Sequence, residues 1–472
     1  MVDERTLGLE KPILCGREVI YTSAREVNRG NILDIVSDAI KIHNKNQGQI
    51  VYLYNYYCGL QPILDKTKEY NDYVNNKIVV NRANEIVNFK TGYLLGKPIQ
   101  YIARGDDEKV SDEVSILNDC MFVEDRESKN RELADWFTIC GTSYLMTLAR
   151  RNEENSDVPF HIYTLDPRYT FVVYSNGVDK RPLLGVTYAL NEKGETIYNC
   201  YTDKEFYQLK DLTEIISIES HLLRDVPIVE YPANKQRIGE FEVVIDLLDA
   251  INLCESDRLD GVEQFVQSLM MFKGVDADDE ALQRVRELGG ICVPEGGDVK
   301  YLIQELNQTQ TQVLMDDMYE TVLTICGMPN RHGGASTSDN GVAVLLRDGW
   351  SAAETKAQNS ETIFKSSERR TLAIALRIMS AFLHTNLRMS DIDIRFTRRN
   401  YENIQTKAQV LLQMLSTDKI HPQLAFEHCG MFSDANLAYK MSMNHYDEEL
   451  KKQEEELNAL NREEEDGDEE SV

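Results

Sequence analysis

The sequence predicts an α+β fold that is predominantly helical. Helical patterns occupy both ends of the chain, and a block of alternating strands from residue 160 to about 210 lies between them. Strands and helices do not alternate one by one, which argues against an α/β sheet. At roughly 150 residues for each domain, a chain of 472 residues suggests about three domains.

The N-terminal half divides into helices followed by strands. Asn31 is placed to cap the first helical run, and Gly96 stops the run that begins at Asn81. The turns Asn176-Gly177 and Lys193-Gly194 separate strands. Helices are therefore expected over residues 29–66, 81–95 and 111–148.

The C-terminal half is mostly helical. Helices are expected over residues 239–272, 307–326 and 342–387 and from 401 onward, with one strand over 391–397. Gly349 marks a position where the third of these helices could kink. Residues 331–341, RHGGASTSDNG, are small, polar and glycine-rich, which predicts a mobile loop.

The run from Gly239 to Phe272 is one-sided in charge. At about 100° per residue its apolar residues share one face. The opposite face carries five carboxylates, Glu242, Asp246, Asp249, Asp257 and Asp260. An amphipathic helix with a solvated acidic face is the simpler interpretation. The alternative is a surface that repels a polyanion. Like charges at i,i+4 mildly destabilise a helix, so their presence on one face calls for a further explanation.

The net charge is −28, from 51 basic and 79 acidic residues. Residues 447–472 hold 13 acidic and 3 basic residues, and so contribute −10. We expect this tail to begin as a solvated helix and to end as a disordered, solubilising block; a contact surface for a basic partner is the alternative. The acidity argues against a protein that grips nucleic acid by neutralising phosphates, but not against one past which nucleic acid slides.

Signals of an enzyme are incomplete. Nine cysteines without a CxxC pair predict neither a disulfide framework nor a four-cysteine zinc site. No complete phosphate-binding loop or HExxH motif is present, and His332-Gly333-Gly334-Ala335, which is similar to an esterase oxyanion loop, lacks a GxSxG elbow. No apolar run long enough for a membrane span and no signal peptide are seen, which predicts an intracellular chain. No catalytic residue, metal or cofactor is expected.

Several segments resemble the portal proteins of tailed bacteriophages, of the long-tailed, non-contractile type. They are IVVNRANEIVNFKTGYLLGKPIQY (78–101), LDPR (165–168), VPIVEYPANKQRIGEFEVVIDLLDAIN (226–252), GMP (327–329) and DNGVAVLL (339–346). The segment 226–252 is the most specific of these. The resemblance covers most of residues 30–440.

This resemblance implies a portal fold with wing, stem, clip and crown, whose copies form an oligomeric ring. The wing would comprise residues 1–238, with the β-rich insert at 160–210. The stem helices would be 239–272 and 307–329, with the clip at 273–306 between them. The tunnel loop would be 330–341, the long kinked helix and a wing strand 342–400, the crown 401–446, and the disordered acidic tail 447–472.

The family's function implies a ring, commonly of about twelve copies, at one capsid vertex. Double-stranded DNA would pass through it non-specifically during packaging, retention and ejection. The clip would dock the terminase large subunit and the head–tail adaptor, and the major capsid and scaffolding proteins are further implied partners. Assembly would take place in the host cytoplasm, and the mature location would be the portal vertex of the virion.

Two sets of residues would then face DNA. The acidic stripe would line the channel and repel phosphates. The tunnel loop would present Arg331, His332, Gly333, Gly334, Ser336, Thr337, Ser338, Asp339 and Asn340. Two other functions stay open: a non-portal capsid-associated structural adaptor, and a phage-encoded hydrolase or nuclease that uses the 331–341 loop.

Overall fold

The structure, a computed structural model, describes residues 11–68, 74–105, 107–150, 158–266, 269–273, 298–302, 308–330, 349–398, 404–417, 419–432 and 435–469. Within these ranges helices hold more residues than strands, which confirms an α+β fold that is predominantly helical. Ten α-helices are described: α1 (Ile32–Tyr57), α2 (Arg82–Leu94), α3 (Glu108–Val123), α4 (Arg126–Cys140), α5 (Ile245–Val266), α6 (Gln308–Cys326), α7 (Trp350–Phe382), α8 (Ile404–Leu415), α9 (Pro422–Cys429) and α10 (Ala435–Glu469).

The same ranges contain thirteen strands, which form four sheets. They are β1 (Ile20–Thr22), β2 (Gln100–Ala103), β3 (Thr142–Ala149), β4 (Phe160–Leu165), β5 (Thr170–Ser175), β6 (Pro182–Leu190), β7 (Thr196–Tyr201), β8 (Glu205–Lys210), β9 (Glu214–Ser220), β10 (Ile228–Pro232), β11 (Leu269–Lys273), β12 (Asp298–Leu302) and β13 (Ile392–Arg395).

The largest sheet has six strands in the order β1-β5-β6-β7-β8-β9. β5 to β9 follow one another as antiparallel neighbours, whereas β1 comes from the N-terminal segment and pairs with β5 in parallel. This sheet packs against α1, and Val36, Val173 and Leu184 are fully buried in the core between them. The strands predicted between residues 160 and 210 are confirmed, and the sheet continues through β9.

Residues 142–149 form a strand where the sequence predicts a helix. α4 ends at Gly141, whose φ of 81° is a left-handed conformation that glycine adopts without a steric penalty. The following residues, TSYLMTLA, lie in a three-stranded sheet of order β10-β3-β4 and are mostly buried. A short buried strand and the end of a helix have the same local pattern. The pairing with β10, about 80 residues further along the chain, decides between them.

α5 and β11 replace the single helix predicted over residues 239–272. A 3₁₀ turn at Glu242–Val244 leads into α5, which ends at Val266. β11 then pairs in antiparallel fashion with β12. Because β12 is distant in sequence, a local helical pattern contains no sign of this pairing. Residues 274–297, which join the two strands, lie outside the described ranges.

α7 is the long helix at the centre of the largest core. It begins after Gly349, whose φ is 82°, so the position where a kink was expected is the start of the described helix. α7 packs against β10 and β3, and Leu372, Ala375 and Met379 are fully buried there. The strand predicted at 391–397 is confirmed as β13, which pairs with β2.

The C-terminal helices α8, α9 and α10 confirm the helices expected from residue 401 onward. α10 extends through the acidic tail as far as Glu469. The block that was expected to be disordered is therefore helical over most of its length. Glutamate favours helix formation, and this preference outweighs the repulsion between neighbouring carboxylates.

A buried ion pair lies where α4, α7, β2 and β10 meet. Arg126 Nη2 donates to Glu368 Oε2 over 2.6 Å, and the two side chains are 4% and 0% exposed. The hydroxyl of Tyr101 donates to Glu368 Oε1 over 2.6 Å, and that of Tyr231 to Oε2 over 2.7 Å. The Tyr231 hydroxyl also contacts Thr371 Oγ1 at 2.6 Å. Burial and the nearby carboxylate raise the pKa of both tyrosines, which keeps them protonated as donors.

Replacing Arg126 with Met should destabilise the fold strongly, because Glu368 would stay buried without its cation. We expect the free energy of unfolding to fall by about 3–5 kcal/mol, as measured by chemical denaturation. The control is Arg131→Met, on the same helix, where Arg131 pairs with Glu127 in solvent. That change should cost less than about 1 kcal/mol. Equal losses in the two variants would contradict a special role for the buried pair.

Candidate functional site

α5 and α6 form a helix pair that is fixed to the rest of the chain by apolar side chains. Leu248 and Ile251 of α5 share a buried core with Val322 and Leu323 of α6. Tyr56 of α1 belongs to the same core. The chain leaves this core through α5 and β11 and returns through β12 and α6. Four of the five residues of the predicted acidic stripe lie on α5, and Glu242 lies in the 3₁₀ turn before it.

Glu242, the first residue of the stripe, is buried at the base of the pair. Arg17 Nη2 donates to Glu242 Oε1 over 2.6 Å, and the two side chains are 1% and 3% exposed. The backbone N–H groups of Gly239 and Gly16 donate to the same carboxylate over 2.9 and 3.3 Å. Arg17 Nη1 donates to the Cys140 carbonyl over 3.2 Å. Glu242 therefore anchors the N-terminal segment and α4 to the base of α5, and presents no charge to solvent.

Asp246 and Asp249 lie on the first turns of α5. The Asp246 side chain is 89% exposed and pairs with Lys11. The hydroxyl of Tyr56 donates to Asp249 Oδ1 over 2.9 Å. Burial raises the pKa of Asp249, and burial together with Asp249 raises the pKa of Tyr56. Asp249 is therefore an acceptor within the chain, and Asp246 is the exposed charge of the two.

Asp257 and Asp260 meet a segment that follows α1. Lys66 Nζ lies 2.7 Å from Asp257 Oδ1 and 2.8 Å from Asp260 Oδ2, and Lys68 Nζ lies 2.5 Å from Asp260 Oδ2. Asn76 donates to Asp260 Oδ1 from its backbone N–H over 2.7 Å and from its side chain over 2.8 Å. Burial opposes ionisation, but the hydrogen bonds from Lys66, Lys68 and Asn76 hold the pKa of Asp260 well below its usual range. Asp260 is buried, whereas the Asp257 side chain is 56% exposed.

The stripe is therefore not a bare acidic face. Four of its five carboxylates pair with cations, and the fifth, on Asp249, accepts from Tyr56. The four cations are Lys11, Arg17, Lys66 and Lys68. Sequence reasoning missed these four because a helical wheel of α5 contains only the residues of α5, and the cations come from residues 11–68. Two carboxylates, on Asp246 and Asp257, are clearly exposed. Their position in a channel stays a prediction.

The predicted DNA-facing loop lies outside the part of the chain that the structure describes. This concerns Arg331, His332, Gly333, Gly334, Ser336, Thr337, Ser338, Asp339 and Asn340. The flanks of the loop are described and lie close together, since a Cβ atom on Gly349 would stand 3.5 Å from the Met328 carbonyl oxygen and 3.7 Å from Pro329 Cα. Lys356 Nζ of α7 donates to the Ile325 carbonyl of α6 over 2.5 Å. The chain thus leaves α6 and returns to α7 at one place.

The described residues contain no group of three or more His, Cys, Asp or Glu side chains that could hold a metal ion. The eight cysteines in these ranges are all free. No described helix combines the length and the apolar character that crossing a membrane requires.

Comparison with known proteins defines the class. The model of the phage portal protein family of SPP1 Gp6-like type matches residues 37–465, so the chain is a phage portal protein and belongs to that family. Two solved particles contain similar chains at 11% identity. One is the neck of an empty gene transfer agent (GTA) particle, computed with C6 symmetry, with a TM-score of 0.45 over 74% of this chain and 90% of that chain. The other is the virion of a native GTA particle, with a TM-score of 0.44 over 81% and 94%. No curated protein matches the chain.

Asp260→Asn should lower stability at neutral pH and lose its effect in acid. The folded state depresses the pKa of Asp260, so its contribution is present above the unfolded-state pKa of about 3.9 and is lost as the pH falls toward the folded-state pKa. We expect the variant to lose about 2 kcal/mol of unfolding free energy at pH 7, and the difference from the wild type to shrink below about pH 4. Denaturation curves at several pH values measure this.

The control for this pH dependence is Asp246→Asn. Asp246 is exposed, and its pair with Lys11 is partly solvated, so the change should stay within about 0.5 kcal/mol at every pH. A loss for Asp260→Asn that does not vary with pH would instead indicate a packing defect.

Proposed function

We propose that about twelve copies of this chain close into a ring at one capsid vertex, around a channel that conducts double-stranded DNA. The observation that carries the proposal is the family match over residues 37–465. It is supported by the path of the chain, which leaves the core through α5 and β11 and returns through β12 and α6. In this proposal α5 and α6 are the stem, β11 to β12 and the residues between them are the clip, and the C-terminal helices are the crown.

Exposed apolar side chains on the helix pair support a contact between copies. Val313 and Leu314 of α6 are 63% and 51% exposed, and Val262 of α5 is 41% exposed. In this proposal these side chains are covered by a neighbouring copy, which removes their apolar surface from water. A head-to-tail contact between two different surfaces of the same chain closes into a ring when its rotation allows.

The exposed charge of the stem suits weak contact with DNA. A channel that moves DNA must avoid phosphate neutralisation, because each cation would hold the backbone in place. Asp246 and Asp257, repeated around a ring, would give a repulsive wall, while the paired cations Lys66 and Lys68 stay engaged with Asp260. The proposed tunnel loop would add one transient phosphate contact in each copy, through Arg331.

The remaining partners follow from the same proposal. The clip would dock the terminase large subunit during packaging and a head–tail adaptor afterwards, and the outer surface would meet the major capsid and scaffolding proteins. DNA would enter during packaging, be retained, and leave at ejection. The chain would not be an enzyme, so the motor partner would hydrolyse the nucleotide.

The ring is tested by native mass spectrometry and negative-stain imaging of the full chain. Twelve subunits of 54.1 kDa give a particle of roughly 650 kDa. Val313→Glu should weaken the assembly, because it places a charge on an apolar contact. The matched control is Val178→Glu, which makes the same change at an exposed position between β5 and β6 and should leave the ring intact. A chain that stays monomeric both alone and during capsid assembly contradicts the ring.

Reversing the exposed charge of the stem should impair packaging. In the double variant Asp246→Lys with Asp257→Lys, each copy would bind phosphates along the channel, and we expect DNA-filled capsids to fall by about tenfold or more. The control pair is Asp38→Lys with Asp179→Lys, two exposed carboxylates that each have one basic neighbour on the wing. Rings must form in both variants. Equal packaging by the two double variants would contradict the placement of α5 in the channel wall.

A further inference from the structure

α10 carries apolar side chains beyond the point where the described chain covers them. Its first turns pack against α9, and Tyr439 stands 5.9 Å from Phe426 and 6.0 Å from His421, measured between ring centroids. α9 has eight residues. Tyr446 and Leu450, about two and three turns beyond Tyr439, are 58% and 39% exposed. The apolar side chains of α10 therefore continue beyond the turns that pack against α9.

The spacing of these side chains is that of a coiled coil. Alternating steps of four and three residues connect Tyr439, Met443, Tyr446, Leu450, Gln453, Leu457 and Leu460. Such steps are the a and d positions of a heptad repeat, which specify a second helix lying along the first. One member of this seam, Gln453, is polar, and a single polar residue in a coiled-coil seam commonly fixes register. The seam spans roughly 33 Å of helix.

The charges beside the seam are all of one sign from Asp447 to Glu456. The flanking e and g positions hold Asp447, Glu449, Glu454 and Glu456. The nearby lysines, Lys451 and Lys452, occupy the b and c positions, away from the seam. Lys452 Nζ lies 3.2 Å from a Glu449 oxygen, but both side chains are largely in solvent, where such a pair contributes little.

This charge pattern selects among possible occupants. In a parallel pair of identical helices the g position of one faces the following e position of the other, which sets Glu449 against Glu454. An antiparallel pair sets g against g and e against e, again acid against acid. Like charges across such a seam disfavour association, so a second copy of α10 is a poor partner. DNA is repelled for the same reason.

We propose that α10 binds a basic amphipathic helix of another protein, with apolar residues in the seam and Lys or Arg beside it. Such a helix would cover Tyr446 and Leu450 and pair with the flanking carboxylates of Asp447, Glu449 and Glu454. The inference goes beyond the DNA channel and does not depend on the ring, because the seam and its charges belong to one chain. It assigns a partner to the acidic C-terminal segment, for which a solubilising role was the simpler expectation.

The test uses the full-length chain and two synthetic peptides of about four heptads. Both carry Leu and Ile at the seam positions; one has Lys at every e and g position, and the other has Glu. Fluorescence anisotropy of the labelled peptides measures binding at physiological salt. We expect the Lys-flanked peptide to bind, and the Glu-flanked peptide to bind at least about tenfold more weakly.

A pair of charge-matched variants locates the binding face. Glu449→Lys with Glu454→Lys reverses the seam flanks and should weaken the Lys-flanked peptide by at least about tenfold while strengthening the Glu-flanked one. Glu448→Lys with Glu455→Lys adds the same charge at f positions, on the far side of the helix, and should change binding by less than about twofold. Leu450→Asn should also weaken binding of the Lys-flanked peptide, since it removes an apolar contact without changing charge.

Three results would overturn the proposal. Equal loss in the two charge variants would mean that the peptide responds to net charge alone. Equal affinity for the two peptides would mean that the flanking carboxylates select nothing. Concentration-dependent association of the wild-type chain that Leu450→Asn abolishes would assign the seam to a second copy. Circular dichroism of each variant confirms that α10 is still helical, so that lost binding is not lost structure.

Discussion

The ion pair between Arg126 and Glu368 is the interaction on which the rest of the described chain depends. Removing two charges from water is costly, and the cost is offset only where geometry is good and the remaining hydrogen-bonding positions are filled. Here Tyr101 and Tyr231 donate to the Glu368 carboxylate, and Thr371 contacts the Tyr231 hydroxyl. These five residues come from α4, α7, β2, β10 and their neighbours, so a single cluster fixes the long helix to both of the sheets that pack on it.

The same device recurs at two other junctions. Arg237 donates to both oxygens of Glu230, over 2.5 and 2.8 Å, where Tyr174 and Thr142 also donate to that carboxylate. Arg17 joins the N-terminal segment to the base of α5 through Glu242. Each cluster unites segments that are far apart in sequence. A buried charge with several fixed donors tolerates few geometries, so these clusters specify how the elements meet rather than how much apolar surface they bury.

Local signals were sufficient for elements whose stability is local. Asn81 caps α2 by accepting from the Asn84 N–H, and the strands around Asn176-Gly177 and Lys193-Gly194 lie where turn chemistry puts them. Such local signals were not sufficient where pairing with a strand distant in sequence determines the structure. β3 and β11 are strands because β10 and β12 pair with them, and the pairing is absent from any short window. The candidate site shows the same limit: the acidic register of α5 was predictable, but Lys66 and Lys68 reach it from another part of the chain.

Acidity therefore has two different meanings in this molecule. On α5 the apolar residues Leu248 and Ile251 are buried in the core shared with α6, and most of the carboxylates pair with cations or donors within the chain, so their charge stabilises the fold. On α10 the apolar face continues past α9, and the carboxylates beside it lie at positions where the chain supplies few cations. A helix that keeps an exposed apolar face with charges beside it is an amphipathic surface that a partner can cover. The two helices differ in their neighbours: α6 packs against α5, whereas α10 extends beyond α9, and we propose that a partner binds it there.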